Sequence, residues 1–404
     1  MCRRTLLALL ALAAFAVGVP ARASTSIAMP TSACSETSDS APAIQAFLAT
    51  VPNGSTVTFP AGARCLVAAT LDLGIAPTGQ PQRADTTYDL NGATIFRIAE
   101  PAACDKPGCN APLVDLERVQ NVTVRDGTIR GGVPSPIEGP PAYDPAIEHD
   151  HGIAVHGDAG VTLTGLTIRN IGGDCVDVDE DSTTHTPSTN ITIDGSSTAP
   201  FTCAEGARQG ISANDVDGLS ITDVTFELIS HSGVDLEPHK HGYIKNVEVR
   251  GCRFGWVGGY AISGHGSGEV WSGVTIADNA QTDPAHPGLG FLRAGNKFVR
   301  GPITVTGNTM AASAQVTNTS GTGSGNRIAA GADVPCLFEL DDSERFHVEG
   351  NTVPAGAKQS CIVKHVAAAS RSPWILIGVV AAAAVLLAGL FLLRRRRASG
   401  RTAD

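Results

Sequence analysis

Through the middle of the chain, apolar and polar residues alternate in short bursts. The pattern is clear in "NVTVRDGTIRGG" (121–132), "GVTLTGLTIRNIGG" (160–173), "NITIDG" (190–195) and "GLSITDVTFELISHSG" (218–233). It continues in "IKNVEVRGCRFGWVGG" (244–259) and "ITVTGNTM" (303–310). Each reads apolar-x-apolar, a Gly, Asp or Asn, then apolar-x-apolar again, which predicts two short half-buried strands joined by a tight turn. A third short strand follows a glycine-rich corner: "GIAVHG", "DCVDVDE", "GISAND", "GVDLEP" and "YAISGHG". The step from Gly152 to Cys175 is 23 residues, as is that from Gly210 to Gly233. Three strands per repeat of this length make one coil of a solenoid. One coil cannot bury its own apolar face, but stacked coils bury a continuous Val/Ile/Leu column.

Aligning the third strands by apolar position predicts their register. Val114/Leu116, Ile153/Val155, Val176/Val178, Ile211/Ala213, Val234/Leu236 and Ile262/Gly264 point inward. Outward, one column reads Asp115, Ala154, Asp177, Ser212, Asp235, Ser263, and a second reads Glu117, His156, Asp179, Asn214, Glu237, His265. Neighbouring coils lie ~4.8 Å apart and successive outward residues ~6.7 Å apart. Asp177, Asp179, Asp235, Glu237, Asn214 and His265 therefore share one patch, with Asp174, Arg208, His231 and His239 at its margins.

Composition agrees with an all-β solenoid. Aromatics make up only 5% of the chain while glycine contributes 45 residues, which suits many short strands and tight turns better than a helical or doubly wound core. A β-sandwich needs longer strands, and a leucine-rich repeat needs helix-forming segments between its strands.

These repeats resemble the right-handed parallel β-helix of the pectin-lyase-like superfamily. "SDSAPAIQAFLATVPNGSTVTFPAGARCLVAATLDL" is similar to that family's opening, where an acid-led helix caps the first coil, and "YDLNGATIF" looks like the next rung. The resemblance runs from Ser38 to Val363, with looser stretches at 132–148 and 280–335. It implies an N-terminal cap and first coils over 24–110 and a parallel β-helix over 111–363. The superfamily includes hydrolases, lyases, epimerases, esterases and adhesins, so the fold alone names no activity.

Both ends read as targeting segments. Residues 1–23 have a basic start, an apolar run and an Ala-x-Ala site at 21–23, a signal peptide cleaved before Ser24. A juxtamembrane linker, 364–373, leads into twenty apolar residues, 374–393. At ~1.5 Å per residue these span a ~30 Å hydrocarbon core. The basic tail 394–404 puts the C-terminus in the cytoplasm and the rest outside the cell membrane, single-pass. The run also resembles a cell-wall sorting signal, but no Leu-Pro-x-Thr-Gly precedes it.

The whole chain carries −10. Setting aside the leader's three arginines and the tail's net four positive charges leaves −17 on the secreted part. Such a surface excludes nucleic acid as a partner and repels polyanions unless cations intervene. In an oxidising compartment the cysteines are expected to pair by proximity as Cys34–Cys65, Cys104–Cys109, Cys175–Cys203 and Cys336–Cys361, leaving Cys252 free.

The outward patch invites chemistry. Outward positions on the other strands are mixed (Thr162, Thr164, Thr167, Arg169, Lys245, Arg250), whereas this ladder is carboxylate, amide and histidine. Stacked like charges repel, which favours a function or a bound cation over plain surface. Asp115/Glu117 and Glu339/Asp341 carry the same acidic pattern elsewhere on the face, which favours plain surface. Carboxyls ~6.5–9.5 Å apart suit inverting glycoside hydrolysis, and crowding raises one of them towards a general acid. Asp177, Asp235 and Glu237 are the candidate acid/base residues; Asp179, Asn214, His265, Arg208, His231 and His239 are the candidates for holding the sugar.

The polygalacturonase-like signatures are matched only by "GHG" at 264–266 and loosely by "GGDCVDVD". The resemblance therefore carries over to His265 and Asp174 alone. A lyase or epimerase would place Ca²⁺ on Asp177, Asp179 and Asp235, with Arg208, His231 or Lys240 as base. Zinc at "HKH" or "EHDH" is a weaker reading, since His149, His151, His239 and His241 sit at corners. The remaining alternative is a glycan-binding or adhesion module without turnover. The expectation is a membrane-anchored protein that cleaves extracellular polysaccharide, as a hydrolase ahead of a lyase or epimerase.

Overall fold

The computed structural model describes residues 25–98, 111–136, 138–239, 242–264, 270–295 and 301–363. The leader, the linker 364–373, the apolar run 374–393, the basic tail and the Cys104–Cys109 pair lie outside them. Among the described residues no helix is long and apolar enough to cross a membrane.

The chain winds as a parallel β-helix. Among the described residues, eleven strands stack into one sheet, from Leu71–Asp72 to Lys358–Ile362. The strands of the other two faces join into a second, twenty-stranded sheet. The expected pair of strands with a turn is present at Val216–Thr222 with Thr225–Ile229 and at Pro302–Thr306 with Thr309–Met310, but other repeats differ. Thr162–Arg169 and Tyr243–Arg250 are each one continuous bent strand. The bend falls on a residue in the left-handed region, Gly165 (φ 62°) or Asn246 (φ 52°). Asn, Asp and Gly tolerate that conformation, so the chain turns a corner without leaving the ladder. The coils also vary in length: Val176 pairs with Ile211, and Val114 with Ile153, across longer excursions than the 23-residue repeat.

The inward residues form the core. Ile153, Val155, Val176, Val178, Ile211, Val234, Leu236 and Ile262 are fully buried. Burying each such side chain contributes about 1.5–3 kcal/mol. Phe226 and Phe254 stack on successive coils with ring centroids 4.9 Å apart. Gly264 takes an inward position because the Trp271 ring already fills the space a Cβ would need. One corner is held by a buried ladder, Asn279–Asn308–Asn326–Asn351, in which each amide accepts from the preceding residue's backbone N–H and side chain.

The N-terminal end is capped by the helix Ala41–Leu48, whose Ile44 and Leu48 plug the first coil. Asp39 accepts from the Ala41 and Ala68 N–H groups. Buried Arg83 donates to the carbonyls of Leu48 (2.7 Å), Val51 (2.9 Å) and Ile75 (3.0 Å), satisfying the helix C-terminus. Disulfides join Cys34–Cys65, Cys175–Cys203 and Cys336–Cys361, and Cys252 is a buried free thiol.

Candidate functional site

The strand pairing places the outward column as the alternation predicts. Asp177 pairs in register with Ala154 and Ser212, Ser212 with Asp235, and Asp235 with Ser263. Beyond Ser263 the column continues into Arg293, so it is free of basic residues only up to that rung.

Facing away from the coil interior does not make these residues solvent-exposed. Asp177 is 5% exposed and Asp235 only 1%. Asp235, a candidate acid/base residue, is therefore closed off from solvent. Asp235 is held by Gln209 Nε2, which donates at 2.8 Å, and by the Ser263 hydroxyl. The Gln209 oxygen in turn accepts from Ser232 N–H at 2.7 Å. Glu237 extends the ladder by donating its N–H to Ala213 O and stays half-buried.

Residues 132–136 and 138–148 help to close this side of the helix, reaching several coils. Ser135 donates to Glu205, Gly139 packs on Trp256, the Pro141 carbonyl accepts from Ser230, and Tyr143 meets the His231 ring at 4.7 Å. His231 thus becomes part of the rim, its pKa lowered by burial and by nearby Arg208.

The centre of the cluster is Asp177. His156 Nε2 lies 2.9 Å from Asp177 Oδ2, and His151 Nε2 lies 3.7 Å from the same oxygen. Burial alone would raise Asp177, but the two imidazoles and Arg208 outweigh it and hold the carboxyl well below its ordinary range. Burial opposes charge on His156 as well, yet the bond to Asp177 and its negative charge raise that histidine to about 9. His151 behaves oppositely. Its Nδ1 accepts from Asp174 N–H at 3.1 Å, and burial pushes it down to about 4, so it is a neutral imidazole. Arg208 donates to Asp174 at 2.8 Å, while Gln209 N–H donates to the other Asp174 oxygen at 3.0 Å.

Asp179 lies nearer the surface. The Asn214 amide reaches Asp177 Oδ1 and Asp179 Oδ2 at 3.4 Å each, so these two oxygens lie within roughly twice that distance of one another. Burial, then the charge of Asp177, pushes Asp179 up to about 6. His239 Nδ1 is 3.7 Å from Asp179 and 3.8 Å from Asp215.

Of the residues singled out from sequence, Asp177, Asp179, Asn214, Arg208 and His239 come together here, with Asp235 buried beneath and His231 at the rim. His265, Lys240 and His241 lie outside the described residues. The sequence reading did not select His156, Gln209 or Asp215, and named His151 only within the weaker zinc reading. His156 could have been found, since it stands in the second column beside Asp179. His151 gave no such signal: it is a corner residue that folds back over Asp177.

No family model matches the chain, and no curated protein sequence matches it. Among solved structures it is similar in architecture to an endo-xylogalacturonan hydrolase from Aspergillus tubingensis (12% identity, covering 83% of this chain and 95% of that one, TM-score 0.47). It is also similar to PfbA, a surface adhesin of Streptococcus pneumoniae (12%, 80% and 90%, TM-score 0.49), and to an alginate lyase from Paenibacillus sp. str. FPU-7 (14%, 84% and 98%, TM-score 0.47). The parallel β-helix itself stands on the strand pairing of this chain. Its chemistry has to be argued from the side chains.

Proposed function

We propose that the chain cleaves glycosidic bonds in extracellular polysaccharide, with Asp177 and Asp179 as the reacting carboxyls. The observation that carries this reading is their geometry: two outward carboxyls of one strand, bridged by a single amide, at the edge of a buried charged cluster. Asp177 is kept ionised by His156 and Arg208 and is suited to face the positive charge that develops on the sugar ring. Asp179 retains its proton towards pH 6 and is suited to give one to the leaving oxygen. Asn214 holds the pair, Arg208 and His231 stand at the sugar-binding rim, and Asp235 anchors Gln209 below. The acidic surface favours a neutral glycan. The leader and the apolar run 374–393 support an ectodomain outside the cell held by one membrane helix.

The test is incubation of the purified protein with a polysaccharide panel, following reducing ends and the ultraviolet absorbance of unsaturated sugars. New reducing ends without that absorbance, falling off as pH rises through about 6, are expected. An unsaturated product would make the protein a lyase. Binding without turnover across the panel would make it an adhesion module.

A further inference from the structure

Among the described residues, two groups of histidine and acid lie close enough to share a metal ion. The first, His151 with Asp174 and Asp177, is already satisfied. His151 Nδ1 accepts a backbone N–H, and Arg208 supplies the positive charge.

The second group is different. Asp179, Asp215 and His239 each bring a ligand atom to within 4.8 Å of the others. Asp215 is 2% exposed; the Tyr243 backbone N–H lies close enough to favour its charged form, but neither carboxylate oxygen has a partner at full hydrogen-bond geometry among the described residues. Leaving a buried carboxylate without a partner is costly, and the cost is normally relieved by a donor or a cation. The surrounding charge makes this worse, because Asp179 and Glu180 both face Asp215. Gly242 lies directly against the Asp215 carboxylate, where a Cβ could not fit, which leaves the carboxylate little room to turn away. His239 is 55% exposed and opens the group to solvent.

We propose that Asp179, Asp215 and His239 form a binding site for a divalent transition-metal ion of the zinc class. One imidazole nitrogen and two carboxylates suit such an ion, and three protein ligands leave a position for water. Calcium prefers six to eight oxygens and gains little from an imidazole. Because the ion would hold Asp179 ionised, occupancy and the proton-donor role proposed above exclude one another. The site itself does not depend on that role.

The experiment is calorimetric titration of the full chain, stripped with chelator, with ZnCl₂ and separately with CaCl₂, without any polysaccharide. One saturable zinc site is expected. Asp215→Asn and His239→Ala should each weaken it by ~10–100-fold or more, a loss that even outer-shell changes can produce. His286→Ala, an exposed histidine paired with Asp283, should leave it unchanged. Zinc should also raise the melting temperature of the parent chain and not of the two variants. Asp215→Asn removes a buried charge, and His239 is at the surface, so at least the latter variant is expected to fold. Equal zinc affinity in the parent and both variants, no uptake by the folded parent, or calcium binding as tight as zinc would overturn the proposal. Since binding is read without substrate, failure of the polysaccharide reading leaves this result untouched.

Discussion

Replacing Asp177 by Asn keeps the side chain's shape and removes its charge. The residue that should respond most is His156, 2.9 Å away. Raising a histidine from 6.5 to about 9 corresponds to about 3 kcal/mol of preference for the charged form. A raised folded-state pKa means stability that is fully present below pH 6.5 and is lost as pH rises through about 9. Asp177→Asn should therefore lower the unfolding free energy by up to about 3 kcal/mol at pH 6, with the gap closing towards pH 10. Urea denaturation at the two pH values measures that gap. Titration of the imidazole proton resonances should show His156 falling from about 9 to 6.5 or below. On the reading proposed here, the same variant should lose ~10²–10⁴-fold in polysaccharide turnover. An unmoved His156 titration, or a stability gap independent of pH, would refute the electrostatic argument. A shifted histidine with near-parental turnover would refute only the catalytic one.

Two further outcomes test the scaffold. Asp158 is buried, with Oδ1 accepting from Val119 N–H and Oδ2 without a hydrogen-bond partner among the described residues, and burial pushes it up to about 8. A raised carboxyl favours the folded state only while protonated, so its cost grows as pH rises from about 4 through 8. Asp158→Asn should then stabilise at pH 9 and be neutral at pH 4 in urea melts, and equal effects at both would contradict this. In the asparagine ladder, Asn308→Ala strands Asn279 N–H, the Asn279 amide and Ile276 O. At ~1–3 kcal/mol per buried unsatisfied group the variant should lose several kcal/mol, and a urea midpoint within experimental error of the parent would show the ladder to be dispensable.

Much of this molecule was legible from alternation alone. A period of two leaves Val176 and Val178 one face of a strand and Asp177 and Asp179 the other, and a one-residue slip would bury both acids in the core. That local constraint, repeated coil after coil, determined the stacking of Asp177, Ser212, Asp235 and Ser263, as well as the solenoid itself. The pairing of Cys34 with Cys65, Cys175 with Cys203 and Cys336 with Cys361 followed because residues one coil apart become neighbours.

What lies over the outward face was decided only by tertiary structure. Alternation says that Asp235 faces away from the core beside Ser263, but not that Gln209 will reach it and help to enclose it. His151 looks like a corner residue until the corner folds it onto Asp177. Asp215, one residue past Asn214, turns into a buried pocket against Gly242, more than twenty residues further along. The placement of residues 138–148 rests on contacts such as Pro141 with Ser230 and Gly139 with Trp256. The physical reason is range. Which way a strand residue points is set by its immediate neighbours and the need to bury them. Whether it then meets solvent, an ion or another side chain depends on segments brought back from far along the chain, and strand periodicity carries no information about those.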